Sequence, residues 1–243
     1  MTYPLRYLST GHIHIEPEDD CERIVDAMLE SDYSEEFCLA RDLDEDFIAR
    51  LMEAGFLVMS GDLFYGTSMA GNIYILLPKL HLVRSVLFFE DLHIKKNVRK
   101  LLSKYELRID TDFDLVLDKC VETHGSDWLT PPLVAALKNL HCQAAEKSRK
   151  EIPIKPVSFE LYRDDDLKAA EIGVICGRVY TSYSGYCTEN NSGTVQMILM
   201  TKWLSQNDFA FLDFGMPLDY KSRLGAKDIS PAAFVELFRE ARG

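Results

Sequence analysis

This 243-residue chain lacks any apolar run near the ~20 residues that cross a bilayer, so no membrane-spanning helix is expected. Its first fifteen residues interleave Arg6, His12 and His14 with apolar side chains, without the unbroken apolar stretch of a secretory leader. The expected compartment is the cytoplasm. Six cysteines (Cys21, Cys38, Cys120, Cys142, Cys176 and Cys187) form no C-x-x-C pair, and wide spacing with no export signal reads as reduced thiols, mostly core. No metal site is expected. Repeats and low-complexity tracts are lacking too. Basic charge is scarce: 27 Lys and Arg against 39 Asp and Glu leave a net charge of −12, which argues against general nucleic-acid binding.

What is present is a globular composition, 47% apolar, in a chain long enough for one large domain or a domain with a small companion. The charge has a local exception. Between residues 93 and 108 stand Lys95, Lys96, Arg99, Lys100, Lys104 and Arg108 against the single acid Glu106, a local +5 that leaves −17 for the remainder. Ile94, Val98, Leu101 and Tyr105 recur at helical spacing. The pattern predicts one helix over 94–105, with Lys96, Lys100 and Lys104 as an outer stripe. Like charges four apart cost such a helix ~0.2–0.5 kcal/mol per pair, so the stripe points to a use or to a solvated face.

Elsewhere a short amphipathic helix is predicted over 18–29. A second follows the N-cap Asp44 and stops at Gly55. A β-rich run covers 72–77, helices cover 116–124 and 132–145, and 147–156 reads as a linker. The period then changes: Val157, Phe159 and Leu161 alternate with Ser158, Glu160 and Tyr162, a half-buried strand. Strands over 167–176 and 178–183 complete an antiparallel meander. A helix over 194–205, a strand over 209–214 and a final helix capped by Ser230 and Pro231 close the chain. The layout is α+β, with a small N-terminal α/β domain at 1–71 and the main domain at 72–243. It is compatible with an acyltransferase fold of the N-acetyltransferase (GNAT) type, without that class's Gln/Arg-x-x-Gly-x-Gly/Ala coenzyme A loop. No cofactor is expected.

Several stretches, in order, resemble one family. They are Asp42-Leu43 through Ala54-Gly55-Phe56; Pro78-Lys79-Leu80-His81-Leu82-Val83-Arg84-Ser85; Arg99-Lys100 with Tyr105, then Asp110 to Phe113; Cys120 and Asp127-Trp128-Leu129-Thr130; Leu140-His141; Ser158-Phe159-Glu160; and Leu224-Gly225-Ala226 with Ile229. Their order and spacing resemble the leucyl/phenylalanyl-tRNA–protein transferases. The resemblance implies a GNAT-like domain behind a small N-terminal domain. It also implies transfer of Leu or Phe from a charged tRNA to the N-terminus of a protein beginning with Lys or Arg, which marks that protein for degradation. Its partners would be aminoacyl-tRNA and a protein or peptide with a basic N-terminal residue; the chain itself is expected to be a monomer.

The resemblance assigns Tyr183 and Asp213 to catalysis and Trp128, Glu160, Ser184 and Asn191 to substrate binding. It assigns His81, Arg84, Arg99 and Lys100 to the tRNA, and the local positive charge adds Lys95 and Lys96 to that surface. The sequence also departs from the family. The family's Gly-Glu-Ser-Met-Phe falls on Ser182-Tyr183-Ser184-Gly185-Tyr186, so Tyr183 takes the Glu position. Its Ile-Asp-Cys-Gln falls on Leu212-Asp213-Phe214-Gly215, so Gly215 takes the Gln position. Its Trp-x-Ser-Pro segment gives way to residues 66–71. Three readings stay open: an aminoacyltransferase with altered donor or acceptor, a binding module that no longer catalyses, and a GNAT-like acyltransferase using another donor.

Overall fold

The structure, a computed structural model, describes residues 3–31, 33–63, 72–146 and 154–243. Helix α1 (Cys21–Glu30) buries Ile24, Val25 and Met28, and the Asp20 carboxylate caps it by accepting from the Arg23 N–H at 3.2 Å. In α2 (Glu45–Glu53) the Asp44 carboxylate accepts from the N–H groups of Asp46 and Phe47. Strands β1 (Leu57–Asp62) and β2 (Tyr74–Lys79) pair antiparallel, and Cys38 and Ala40 bond to the other edge of β2.

There follow β3 (Arg84–Leu87), α3 (Lys96–Arg99), β4 (Glu106–Ile109), α4 (Phe113–His124) and α5 (Pro131–Glu146). The meander is β5 (Ile154–Arg163), β6 (Asp166–Cys176) and β7 (Val179–Cys187). Then come α6 (Ser192–Gln206), β8 (Phe211–Asp213), α7 (Asp219–Arg223), β9 (Lys227–Ile229) and α8 (Pro231–Arg242). Seven strands form one sheet in the order β4-β5-β6-β7-β8-β3-β9. Successive strand residues face opposite ways, and both faces are covered. Val86, Ile172, Val174 and Phe211 join a core with α1, α2, α4, α5 and α8. Leu87, Phe159, Tyr180 and Leu212 join a second core with Val195, Ile198 and Leu204 of α6. The architecture is α+β, as expected. No helix among the described residues is long and apolar enough to cross a membrane.

Four expectations need correction. The basic stretch is not one helix: α3 has four residues, and a 3-10 turn at Leu102–Lys104 redirects the chain so that Glu106 enters β4 opposite Tyr162. Lys95, Lys96, Arg99, Lys100 and Lys104 are exposed and have no ion pair among the described residues, whereas Arg108 is paired to Glu106 and Asp165, each at 2.9 Å. Secondly, the expected domain boundary at 71/72 falls between the paired strands β1 and β2, and the first core draws side chains from Ile13 to Ala241. Thirdly, β5 is not half-buried, because helices cover its polar face and leave Ser158 and Glu160 at 0% exposure. Finally, of the expected linker, 147–153 lies outside the described residues and 154–156 begins β5. Pro156 is tolerated there because β4 pairs only with Phe159 to Tyr162, leaving that edge open. The 66–71 segment also lies outside the described residues.

Candidate active site

Strands β7 and β8 are the sheet's parallel pair, joined only over Val179 to Thr181 and Phe211 to Asp213. Beyond this the strands part. β7 runs on beside β6, while the chain after Asp213 turns at Gly215, with φ of +69°, toward β3. The carboxyl end of a parallel pair, where connections diverge, is where a sheet leaves room for a ligand.

Asp213 lies there at 0% exposure and Arg84 of β3 at 2%, in a bidentate pair: Nε to Oδ1 at 2.8 Å and Nη2 to Oδ2 at 2.6 Å. Asp213 also accepts from Thr181 Oγ1 at 2.9 Å and from the Gly215 N–H at 2.9 Å. The Arg84 guanidinium stacks 4.1 Å over the Phe234 ring. Two charges removed from water this far are held only by good geometry and full hydrogen bonding.

The turn after β8 is tied almost atom by atom. The Phe214 N–H donates to Ser85 O at 2.9 Å, and the Ser85 N–H donates to Gly215 O at 2.7 Å. Lys221 of α7, buried at 5% exposure, donates through Nζ to Phe214 O at 2.7 Å and to Met216 O at 2.8 Å. Burial pulls its ammonium down to about 8, with Asp213 and Glu171 pulling the other way. Glu171 of β6 is buried too and accepts from the Tyr180 hydroxyl at 3.2 Å. Burial pushes its carboxyl up to about 7, offset in part by hydrogen bonds from Ser182 and Tyr180. An acid and a base whose ionisations both lie near neutrality therefore flank the strand ends. Such perturbed groups cluster at functional sites.

His81 is 3% exposed, and neither ring nitrogen has a hydrogen-bond partner among the described residues. Its Nδ1 stands 3.8 Å from Glu36 Oε1, too far to bond. Burial and the neighbouring cations Arg84, Lys79 and Lys221 push its pKa down to about 2, so the ring is neutral. Its Nε2 faces Gly215, where an added Cβ would lie 3.4 Å away. Arg84 Nη1 and Ser85 Oγ are likewise buried without partners.

The sequence-derived site residues fall into four places. His81, Arg84, Asp213 and Tyr183 converge at the strand ends. The Tyr183 hydroxyl accepts from the Val58 N–H of β1 at 3.0 Å, and burial pushes its pKa up. Trp128 borders the same wall, its carbonyl accepting from the Ser60 N–H of β1 at 3.0 Å. Ser184 lies one step further along β7, opposite Ile172. Glu160 is two strands away on β5, where Oε1 accepts from Ser158 Oγ at 2.6 Å and from the Thr111 N–H at 3.1 Å. Asn191 is exposed at the start of α6 with φ of +69°. Arg84 and His81, expected on a tRNA-facing surface, are instead buried behind it, while Lys95, Lys96, Arg99 and Lys100 do face solvent. That cationic stretch is fixed to the site's far side: the His93 N–H donates to Leu224 O at 2.8 Å, and Lys227 pairs with Asp91 at 2.6 Å.

Sequence reading missed Glu171 and Lys221. Glu171 left a signal, since it is the lone charge between Ala169-Ala170 and Ile172-Gly173-Val174-Ile175-Cys176. Lys221 left none, because Asp219-Tyr220-Lys221-Ser222-Arg223 reads as a solvated turn.

A family model described as leucyl/phenylalanyl-tRNA protein transferase matches residues 86–239. A leucyl/phenylalanyl-tRNA–protein transferase of Pseudomonas putida (strain W619) is 28% identical over 158 residues, covering 63% of this chain and 66% of that protein, just under two thirds of its length. One from Campylobacter jejuni (strain RM1221) is 25% identical over 202 residues, 83% of each chain. Among solved structures, FemX is similar with a TM-score of 0.40 at 10% identity, covering 90% of this chain and 78% of that one.

Proposed function

This chain belongs to the leucyl/phenylalanyl-tRNA–protein transferase family, and on that premise we propose that it moves a Leu- or Phe-like amino acid from aminoacyl-tRNA to the N-terminus of a protein or peptide. The observation that carries this reading is the family match over 86–239, a span that holds β7, β8 and the Asp213 turn. The reaction is an acyl transfer. The neutral α-amine of the acceptor attacks the ester carbonyl, and a tetrahedral oxyanion forms. The bond to the terminal ribose oxygen then breaks, that oxygen takes a proton, and the amine loses one.

Positioning supplies much of such a rate, and fixed dipoles steady the oxyanion. The strand-end site has both means: a turn at Gly215 held rigid by Arg84–Asp213 and Lys221, and a buried donor in the Tyr183 hydroxyl. The Tyr183 phenol cannot serve as a base, since burial holds its proton more firmly than in water. It serves as a donor or a wall. Lys95, Lys96, Arg99 and Lys100 supply a phosphate-facing surface for the tRNA end. Arg84 and His81 act from within, as supports. The acidic remainder of the chain suits an acceptor that begins with Lys or Arg. The meander, α6 and the parallel partner β8 support a GNAT-like sheet, and the residues before β3 form the wall behind Tyr183 and Trp128.

The test mixes the protein with aminoacyl-tRNAs labelled across the amino acids and with peptides beginning Arg, Lys, Asp or Met. Label from Leu, Phe or Met is expected on the Arg and Lys peptides. Binding of charged tRNA with no transfer to any peptide would overturn the reading.

A further inference from the structure

We infer that Lys221 is a positioning residue of the transfer reaction, clamping the Phe214-Gly215-Met216 turn that follows β8. The inference rests on the acyl-transfer reading above. Gly215, at the centre of this turn, has no side chain to anchor it. With φ of +69°, glycine is also the residue least able to hold one conformation unaided.

The structure supplies the constraint from outside the turn. Lys221 Nζ bonds two carbonyls at 2.7 and 2.8 Å, one on each side of Gly215. A buried amine with no carboxylate within ion-pair reach among the described residues is costly to keep. Removing it would leave the buried Phe214 carbonyl without its donor and release the Met216 carbonyl. Its place in α7 matters equally. The Leu224 carbonyl, at the end of that helix, accepts the His93 N–H of the exposed basic stretch. One short helix therefore touches both the Asp213 turn and the surface proposed for tRNA. Glu171 lies near enough to Lys221 to perturb it electrostatically, so β6 also feels the charge at this point.

Two variants separate the clamp from mere packing. Lys221→Met keeps the volume and removes every donor, whereas Lys221→Gln keeps two N–H donors without the charge. In steady-state transfer of labelled Leu or Phe to an Arg peptide, Lys221→Met should lower kcat about 100-fold, the loss a misplacement of ~1 Å produces. KM for charged tRNA and for peptide should each change less than about threefold. Lys221→Gln should recover at least about tenfold over Lys221→Met. The inference is overturned if Lys221→Met keeps kcat within about threefold of wild type, or if KM alone moves, or if Lys221→Gln is no better than Lys221→Met. Should Lys221→Met not fold, Lys221→Gln decides alone: a fall of about tenfold or less in kcat supports the clamp, and a 100-fold fall in a folded chain overturns it. A wild-type chain that transfers nothing removes the acyl-transfer reading and this inference with it, a result distinct from an active wild type with unaffected variants.

Discussion

Replacing Arg84 by Met tests whether the Pro78-to-Ser85 stretch holds an internal strut. The change leaves Asp213 at 0% exposure with two of its four hydrogen bonds, those from Thr181 and Gly215. Met keeps apolar bulk against Phe234, so the loss is mainly electrostatic. Breaking a buried pair from one side costs ~3–5 kcal/mol because a carboxylate stays buried and uncompensated. At ~2–4 °C per kcal/mol for a chain of this size, the melting temperature should fall by about 10 °C. Urea unfolding of wild type and variant would measure the free energy directly. Pairing Arg84→Met with Asp213→Asn should recover at least ~1 kcal/mol, since a neutral amide costs less to bury than a charge. Because Arg84 is behind the surface, Arg84→Met should leave the salt dependence of charged-tRNA binding unchanged. A stability loss below ~1 kcal/mol, or a flattened salt slope, would show that Arg84 contacts a ligand and is not a strut.

The exposed cations give the opposite signature. Lys96, Arg99 and Lys100 changed together to Ala should weaken charged-tRNA binding and reduce the slope of log K against log salt by ~0.7–0.9 for each phosphate no longer neutralised, while leaving melting almost unmoved; an unchanged slope makes the stretch a solvated face. Glu171 has its carboxyl raised to about 7 in the fold, against ~4.3 in an unfolded chain. The raised value means this group favours folding most below pH ~4.3, and that contribution is lost as pH climbs through about 7, in total ~4 kcal/mol. Urea midpoints of Glu171→Gln across that window should decline less than those of wild type, and parallel profiles refute the shift. Gly225, the glycine of Leu-Gly-Ala, has φ of +106°, and a Cβ there would lie 2.0 Å from the Asp91 carbonyl oxygen. Gly225→Ala should cost at least ~2 kcal/mol in a melting experiment and loosen the basic stretch that docks beside it; a neutral effect would place the motif's role elsewhere.

Much of the fold was legible because local chemistry and tertiary packing agree. Asp44 and Ser230 cap the helices they precede, and Gly177 turns the meander. What failed to read depends on long-range contacts. Residues 94–105 carry a helical period, yet the segment must turn so that Glu106 pairs with Tyr162, and strand pairing overrides propensity. β3 was missed because its four residues, Arg84-Ser85-Val86-Leu87, begin with a charge, and only the partner Asp213, 129 positions away in sequence, allows that charge inside. The site divides the same way. Asp213 was found through its motif, whereas Lys221 escaped because its burial is decided by carbonyls of a separate turn. Charge patterning on the surface was readable as composition; burial of charge was not, because it is a property of pairs.

The outer edge of β1 has a further consequence. Two of its N–H groups, Val58 and Ser60, point away from β2 and would invite another strand to pair. They are taken up by the Tyr183 phenol and by the Trp128 carbonyl. The residue that occupies the family's Glu position therefore also closes a sheet edge against self-association. Removing its hydroxyl would reopen one donor on that edge, so a solution of such a variant should be watched for polymerisation as closely as for lost turnover.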